Sequence, residues 1–194
     1  LRKVDLKTGQ VLKKVDVPTQ YFAEGLTILG NKIYQLTWQT RIGFIYDLDT
    51  FNSIGQFHYD SEGWGLTNDG HYLIMSDGSN KLRFVEPTTF RVARSIDVYS
   101  GGAPLRDLNE LEYINGLIFA NIWHDNRIAK IDPKNGRLLG FLDLASLASG
   151  LRLGEEDVLN GIAYDRNSKH LIVTGKRWPV IFVIALTGQT MRRG

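Results

Sequence analysis

Polar and apolar residues repeat a four-part pattern along this chain. Each repeat opens on a polar or aromatic residue and an apolar stretch, passes a tight turn, and continues through a second and a third apolar stretch. In the first three repeats an acidic turn then leads into a fourth stretch. The openings are Glu24-Gly-Leu-Thr, Trp64-Gly-Leu-Thr, Asn109-Glu-Leu-Glu and Asn160-Gly-Ile-Ala. Their spacing of roughly 40 to 50 residues indicates stacked or radial units, and four short strands per unit form a propeller blade.

Turn residues support antiparallel sheets between these stretches. Asp69-Gly70 and Asn115-Gly116 each lie between apolar runs, and both dipeptides readily supply the positive φ angles of a two-residue hairpin. Helix signals are few. The segment from Leu142 to Leu151 has leucines at helical spacing and ends at glycines, which predicts a short helix or an insertion between blades.

The strands do not add up to a whole number of blades. Residues 24–60, 63–99 and 108–144 each supply four strands, residues 159–186 supply three, and residues 1–17 supply the last two of another. Closed propellers usually complete one blade with strands from both chain ends, because an open edge exposes unpaired backbone groups. We therefore expect one all-β domain, a five-bladed β-propeller of four-stranded antiparallel blades. Part of its first blade and the closing strand would be missing with an N-terminal stretch on the order of 40 residues.

Composition and charge narrow the classes of function. The 194 residues carry a net charge of only +2, with basic residues spread along the chain, which argues against a nucleic-acid groove. The chain has no cysteine, so it has no thiolate zinc site, and its histidines lack metal-ligand spacing. No apolar run is long enough to span a bilayer, and Leu1-Arg-Lys-Val-Asp has no signal-peptide core. We expect a soluble monomer with no metal, no cofactor, and no nucleic-acid or membrane partner.

Overlaying the repeats brings chemically active residues together. In a propeller the first strand of every blade lines the central channel, so the opening residues converge at one end of it. The ends of the next strands supply a second ring of residues. The first ring contains Glu24, Trp64, Asn109 and Asn160, and the second contains Trp38, the segment Ser76 to Gly78, Trp123 and Lys176. Aromatic walls with a few convergent polar groups are the usual make-up of a small-ligand pocket.

Motifs along essentially the whole chain resemble one enzyme family, in the same order. They are Tyr21-Phe-Ala-Glu-Gly-Leu-Thr, Tyr34-Gln-Leu-Thr-Trp, Gly63-Trp-Gly-Leu-Thr, Leu73-Ile-Met-Ser-Asp-Gly-Ser, Leu108-Asn-Glu-Leu-Glu, Ala120-Asn-Ile-Trp, Leu159-Asn-Gly-Ile-Ala-Tyr-Asp and Val173-Thr-Gly-Lys-Arg-Trp-Pro. The chain is similar in these motifs to the plant and bacterial type of glutaminyl-peptide cyclotransferase, or glutaminyl cyclase. This resemblance implies a five-bladed β-propeller that converts the N-terminal glutamine of a peptide or protein into pyroglutamate and releases ammonia.

The resemblance also implies roles for individual residues. The family's catalytic carboxylate matches Glu24, and the aromatic contact near it matches Phe22. Its aromatic cage matches Trp38, Trp64 and Trp123. Its polar substrate contact matches Asn109, and its cationic contact matches Lys176. Family members also carry Phe-Thr-Gln-Gly-Leu and Tyr-Glu-Ser-Thr-Gly segments ahead of the position of Leu1, and this chain lacks both. Because family members generally act outside the cytoplasm, the resemblance implies a periplasmic or extracellular location.

A carboxyl group suits the chemistry that this resemblance implies. The α-amine must lose a proton as it attacks the side-chain amide carbon, and the departing nitrogen must gain one, so a single carboxylate can serve both steps. Aromatic rings around Glu24 would remove water and raise its pKa, whereas a nearby Lys176 would lower it. Lys176, Asn109 or an indole N–H could stabilise the negative charge on the amide oxygen, and the sequence leaves this choice open.

Three other functions remain open from the sequence. A non-catalytic propeller that binds a ligand or a protein would keep the indole cage but tolerate the loss of Glu24. A metal-dependent lactone or ester hydrolase would need acidic and amide residues around one cation, and tryptophans occupy several of those strand ends. The missing strands also allow an inactive fragment of a cyclase.

Overall fold

The computed structural model describes residues 1–152 and 154–186, whose strands form an all-β, propeller-like arrangement. A hairpin of β1 (Arg2–Val4) and β2 (Val11–Lys14) comes first. The first blade consists of β3 (Ala23–Leu29), β4 (Lys32–Thr37), β5 (Ile42–Asp47) and β6 (Ser53–His58). The second consists of β7 (Leu66–Asn68), β8 (Leu73–Met75), β9 (Lys81–Val85) and β10 (Val92–Asp97).

The second half of the chain continues in the same way. A small hairpin of β11 (Tyr99–Ser100) and β12 (Ala103–Pro104) precedes the third blade. That blade consists of β13 (Leu108–Ile114), β14 (Leu117–Ile122), β15 (Arg127–Ile131) and β16 (Leu138–Asp143). Helix α1 (Ala145–Ser149) follows, and the last sheet consists of β17 (Leu159–Asp165), β18 (His170–Gly175) and β19 (Phe182–Ala185).

Each blade is an antiparallel meander in which every strand pairs with the next one along the chain. The inner strands β3, β7, β13 and β17 lie side by side in that order. The five-bladed ring predicted from the sequence is not confirmed. The described residues form four blade-like sheets, the last of them with three strands, and β1 pairs only with β2.

The two predicted hairpin turns have different outcomes. Asn115-Gly116 joins β13 directly to β14 with φ angles of 49° and 84°, which confirms a two-residue turn. The two-residue turn predicted at Asp69-Gly70 is wrong, because Asn68 pairs with Leu73 and leaves a loop of residues 69–72. The carboxylate of Asp69 stabilises this wider loop by accepting two backbone N–H groups, as aspartate commonly does in turns.

The short helix predicted near residue 145 is confirmed as α1. Leu144 and Ala148 are buried in a hydrophobic cluster with Leu159 and Val173 of the last sheet. The helix therefore covers the seam between the third blade and the last one. Within residues 1–152 and 154–186, no helix has the length and apolar character needed to cross a membrane.

The hydrophobic core lies between neighbouring blades. Ile74 and Phe84 of the second blade share one cluster with Ile118 and Ile131 of the third, and all four side chains are fully buried. Each such side chain contributes about 1.5 to 3 kcal/mol by leaving water. The apolar contacts thus fix the position of one blade against the next.

Glycines let the inner strands approach one another around the channel. A Cβ atom added at Gly25 would lie 2.6 Å from the backbone nitrogen of Leu66, and one at Gly65 would lie 2.0 Å from the carbonyl oxygen of Asn109. No side chain fits at such distances, so these strands meet backbone to backbone. The N–H of Gly25 also donates to the carbonyl oxygen of Trp64 at 2.9 Å. Residues beside these glycines are therefore positioned closely around one end of the channel.

Candidate active site

A cavity of about 300 Å³ opens where the inner strands begin. Half of the residues that line it are aromatic, and the others supply one carboxyl, one amide and one ammonium group together with a second, exposed carboxyl. The lining residues are Phe22, Glu24, Trp38, Trp64, Asn109, Trp123, Glu156 and Lys176. The structure thus brings together the seven residues to which the resemblance assigns roles and adds Glu156. Asn160 and the segment Ser76 to Gly78, which the overlay of repeats also placed at the channel mouth, do not line this cavity.

Irregular strand pairing directs two of these residues toward the cavity. The pairing register shifts within residues 23–26 of β3 and within residues 108–111 of β13. A β-bulge of this kind changes the direction of the side chains in it, and the two segments contain Glu24 and Asn109. The ends of the second strands supply three more: Trp38 follows β4, Trp123 follows β14 and Lys176 follows β18.

The aromatic wall consists of two edge-to-face pairs. The rings of Phe22 and Trp38 have centroids 6.0 Å apart with an interplanar angle of 68°. Those of Trp64 and Trp123 are 6.2 Å apart with the same angle. Both arrangements are favourable for aromatic rings.

Lys176 contacts the aromatic wall directly. Its Nζ atom lies 4.1 Å from the centroid of the Trp123 ring, which is within the range of a cation–π interaction. The backbone N–H of Lys176 donates to the carbonyl oxygen of Val158 at 2.9 Å. The positive charge is therefore fixed at the side of the cavity formed by the third and last blades.

Glu24 is a partly buried carboxyl group whose pKa lies near neutral pH. Burial raises its pKa from an ordinary value of 4.5 to about 7, because the surrounding protein removes water from the charged form. The positive charge of Lys176 acts in the opposite direction and lowers the pKa. Near neutral pH the group populates both protonation states, so it can accept a proton and return it.

Asn109 presents an unpaired amide oxygen to this site. The residue is only 4% exposed, and its Oδ1 atom has no hydrogen-bond partner among the described residues. Its backbone carbonyl oxygen accepts a hydrogen bond from the Ser76 hydroxyl at 2.7 Å, which fixes the strand beside the second blade. Buried polar atoms normally have partners, so this amide oxygen retains an unused capacity to accept a hydrogen bond beside the cavity.

Glu62 contacts two of the cage rings from outside the cavity, and sequence reasoning missed it. Its Oε2 atom accepts hydrogen bonds from the indole N–H groups of Trp38 at 2.8 Å and Trp64 at 2.9 Å. These two N–H groups are therefore already occupied. Of the donors considered from the sequence, Lys176, Asn109 and the indole of Trp123 remain for a negative charge on a ligand. The only signal in the sequence was an acid two positions before Trp64.

Glu110 is a further carboxyl that sequence reasoning missed. The residue after each repeat opening is glycine in the first, second and last sheets but glutamate in the third, a difference visible in the sequence. The side chain is partly buried on β13. Burial raises its pKa to about 8, with a further increase from the charge of Glu24 and a decrease from that of Lys176. At neutral pH the carboxyl group of Glu110 therefore keeps its proton, close to Glu24.

Glu156 lies on the exposed loop between α1 and β17, where no repeat pattern could have identified it.

In residues 1–152 and 154–186, His, Asp and Glu side chains do not gather in groups of three or more that could hold a metal ion. The cavity therefore offers aromatic, carboxyl, amide and ammonium groups for its chemistry.

Replacing Glu110 by glutamine should change how stability depends on pH. Between about pH 5 and 8 the unfolded chain loses this proton while the folded protein retains it, so rising pH destabilises the wild type. Glu110→Gln removes this contribution while it preserves the shape of the neutral acid. We expect urea denaturation to show a smaller loss of unfolding free energy between pH 5 and 8, by on the order of 2 kcal/mol.

Glu86→Gln, on the turn after β9, is the matched control and should retain the wild-type pH dependence. An unchanged pH dependence in Glu110→Gln would contradict burial of a protonated carboxyl at that position.

Comparison with known proteins identifies the family of this chain. Residues 1–186 match the family described as glutamine cyclotransferase. The chain is 44% identical to a glutaminyl-peptide cyclotransferase of Arabidopsis thaliana over 200 aligned positions. That match covers 100% of this chain and 62% of the plant protein, so the chain spans less than two thirds of that relative.

Solved structures give the same relationship. The crystal structure of Myxococcus xanthus glutaminyl cyclase matches with a TM-score of 0.88 and 36% identity, over 94% of this chain and 79% of that one. A protein of unknown function from Bacteroides caccae matches with a TM-score of 0.60 and 11% identity, over 98% of this chain and 66% of that one, which is a likeness of fold alone. By its sequence and by these matches, the chain belongs to the glutamine cyclotransferase family.

Proposed function

We propose that this protein is a glutaminyl-peptide cyclotransferase that converts an N-terminal glutamine of peptides or proteins into pyroglutamate. The α-amine nitrogen forms a bond to the side-chain amide carbon, the bond from that carbon to the amide nitrogen breaks, and ammonia leaves. The observation that carries the proposal is a carboxyl group, Glu24, with a pKa near 7 inside an aromatic cavity, in a member of this family.

Glu24 is the proton carrier in this proposal. Its ionised form accepts a proton from the attacking amine, and its protonated form then gives that proton to the departing nitrogen. A pKa near neutrality supports both steps, since neither transfer is strongly uphill. The number of protons on Glu24 is the same before and after one turnover.

Lys176 and Asn109 are the polar groups that we assign to the reacting amide. Negative charge develops on the amide oxygen as the amine attacks, and an ammonium or amide N–H donor stabilises it. The location of Lys176 on the Trp123 face supports this role, because the cation is fixed before substrate arrives. The free oxygen of Asn109 is suited to accept an N–H of the substrate.

Phe22, Trp38, Trp64 and Trp123 form the substrate-binding wall. Their rings pack against the methylene groups of the glutamine side chain and bring its amide close to the amine. Holding the two groups together supplies much of the rate enhancement for a ring closure, because the entropy cost is met on binding. Expulsion of water from the same wall also maintains the raised pKa of Glu24.

The alternatives have less support from the site. A pure binding module gains nothing from a buried carboxyl, whose removal from water costs free energy. A metal-dependent hydrolase is disfavoured because, within residues 1–152 and 154–186, His, Asp and Glu side chains form no group of three or more that could coordinate a cation. An inactive fragment would have the same cavity. Only an assay of pyroglutamate and ammonia formation distinguishes it from an active cyclase.

We also propose that the ring has five blades and that β1 and β2 belong to the fifth. Leu1 and Val15, at the ends of this hairpin, pack against Ile33 and Tyr46 of the first blade, as a neighbouring blade would. Exposed apolar side chains on β3 and β19, including Ile28 and Val183, support a further sheet between them. Density for such a sheet in a crystal structure of the protein as made by the cell would confirm it, and its absence would refute it.

Membership of the family supports a proposal for the natural substrates and the location. We propose that the protein acts as a monomer on peptides or proteins with N-terminal glutamine in the periplasm or outside the cell. Fractionation of cells that make the protein from its own gene tests the location. Analytical ultracentrifugation tests the oligomeric state.

Replacing Glu24 by glutamine should abolish catalysis and leave the fold intact. The variant cannot accept a proton from the amine, so we expect kcat to fall by at least about 100-fold. The assay incubates a Gln-initiated peptide with the protein and measures pyroglutamate by mass spectrometry and ammonia by a coupled reaction. Glu86→Gln is the control and should retain activity. A near-normal rate in Glu24→Gln would reject the assignment, and an inactive wild type would favour the fragment.

Lys176 should set the pH at which the enzyme becomes active. Its charge lowers the pKa of Glu24, so Lys176→Met should move the ascending limb of kcat/KM to higher pH. Lys176→Arg retains the charge and should leave the limb near its wild-type position. The substrate amine titrates identically with all three enzymes and does not affect the comparison. A limb that stays in place or moves to lower pH in Lys176→Met would contradict this coupling.

A further inference from the structure

Glu62 lies outside the cavity, and one of its carboxylate oxygens accepts hydrogen bonds from two indole rings of the cavity wall. The residue is in the loop between β6 and β7 and does not itself line the cavity. Trp38 and Trp64, which donate to it at 2.8 and 2.9 Å, both do. The carboxylate therefore contacts the cavity through these two indole rings.

A carboxylate that accepts a hydrogen bond from an indole N–H fixes the position of the ring and also changes the charge distribution within it. Hydrogen bonds to a charged acceptor are stronger than neutral ones and shift electron density from the N–H into the ring. The ring face then becomes more negative, and the attraction of that face for a cation increases. The faces of Trp38 and Trp64 are therefore favourable sites for an ammonium group.

The Trp123 end of the wall, whose ring packs edge-to-face against Trp64, has the reverse polarity. The face of Trp123 is already covered by the Lys176 ammonium at 4.1 Å, so a second cation would be repelled there. Trp38 belongs to the first blade, which also carries Glu24, and Trp64 leads into the second. Trp123 and Lys176 belong to the third and last sheets. Glu24 and the two rings bonded to Glu62 thus lie toward one end of the cavity, and Lys176 lies toward the other, where the exposed Glu156 also lines it.

We propose that the Trp38 and Trp64 faces, made more negative by Glu62, bind the N-terminal ammonium of the substrate. The side-chain amide then lies toward Lys176 and Asn109. This proposal rests on the proposed cyclotransferase function and adds the orientation of the substrate. It also brings the amine to the same side as Glu24. The bound ammonium first releases one proton to solvent, and the neutral amine then gives a second proton to Glu24 as it attacks. Glu62 is a positioning residue, since it acts on the substrate through the rings.

A matched pair of ligands tests the ammonium site without any catalysis. A peptide with N-terminal methionine has a side chain close to glutamine in length but no amide, so it cannot cyclise. Its N-acetylated form has the same side chain and lacks the ammonium charge. We expect calorimetric titration of the wild type to give tighter binding of the free amine, by about 3- to 10-fold. Equal affinities of the two peptides would overturn the proposal.

Two substitutions of Glu62 separate its charge from its hydrogen bonds. The amide oxygen of Glu62→Gln can still accept both indole N–H groups, but the negative charge is gone. We expect this variant to lose most of the preference for the free amine and to bind the acetylated peptide as the wild type does. Glu62→Ala releases both rings and should weaken both peptides. A wild-type preference in Glu62→Gln would show that only ring position matters and would refute the role of charge.

A third substitution guards against misfolding of the Glu62 variants. Trp38→Phe keeps an aromatic ring in the wall but has no N–H to donate and a weaker attraction for cations. It should reduce the preference for the free amine, and an unchanged preference would contradict the proposal. For Gln-initiated peptides, Glu62→Gln should raise KM several-fold with little change in kcat. Because the binding measurements need no turnover, failure of the proposed cyclase activity would leave their result intact and distinguishable.

Discussion

Removal of water from Glu24, balanced by the charge of Lys176, is the interaction on which the site depends. Burial alone favours the neutral acid and would give a group that holds its proton too strongly to exchange it. Lys176 favours the ionised form and limits the increase in pKa. The resulting pKa near 7 lets one carboxyl serve first as base and then as acid. Trp123 contributes indirectly, because its ring fixes the ammonium group that maintains this balance.

The propeller-like fold makes this balance possible because it brings together groups from distant parts of the chain. Contact between backbones at Gly25 and Gly65 keeps the inner strands close, and apolar clusters between blades fix their spacing. Such packing resists small displacements, so distances across the cavity are maintained before a substrate binds. Two acidic residues outside the cavity also affect the site. Glu62 contacts the wall from behind, and Glu110 retains a second proton near Glu24.

The repeat pattern located most of the cavity, because strand period and blade order determine which residues meet at the channel mouth. Asn109 and Trp123 could be assigned to it in this way. Glu62 and Glu156 could not, since they lie on loops where side-chain direction depends on contacts that no period encodes. Asp69-Gly70 failed as a two-residue turn because the aspartate side chain favours a wider loop. The number of blades depends on packing between sheets, which local patterns do not specify.

The most direct test of this account is a measurement of the Glu24 pKa in the folded protein. Protein with ¹³C-labelled glutamate carboxyl groups can be titrated by NMR, and the Glu24 signal is identified by its loss in Glu24→Gln. The account predicts a midpoint near pH 7 in the wild type. A midpoint at the ordinary value of 4.5 would mean that the carboxyl is solvated, and it would contradict the role assigned to Glu24.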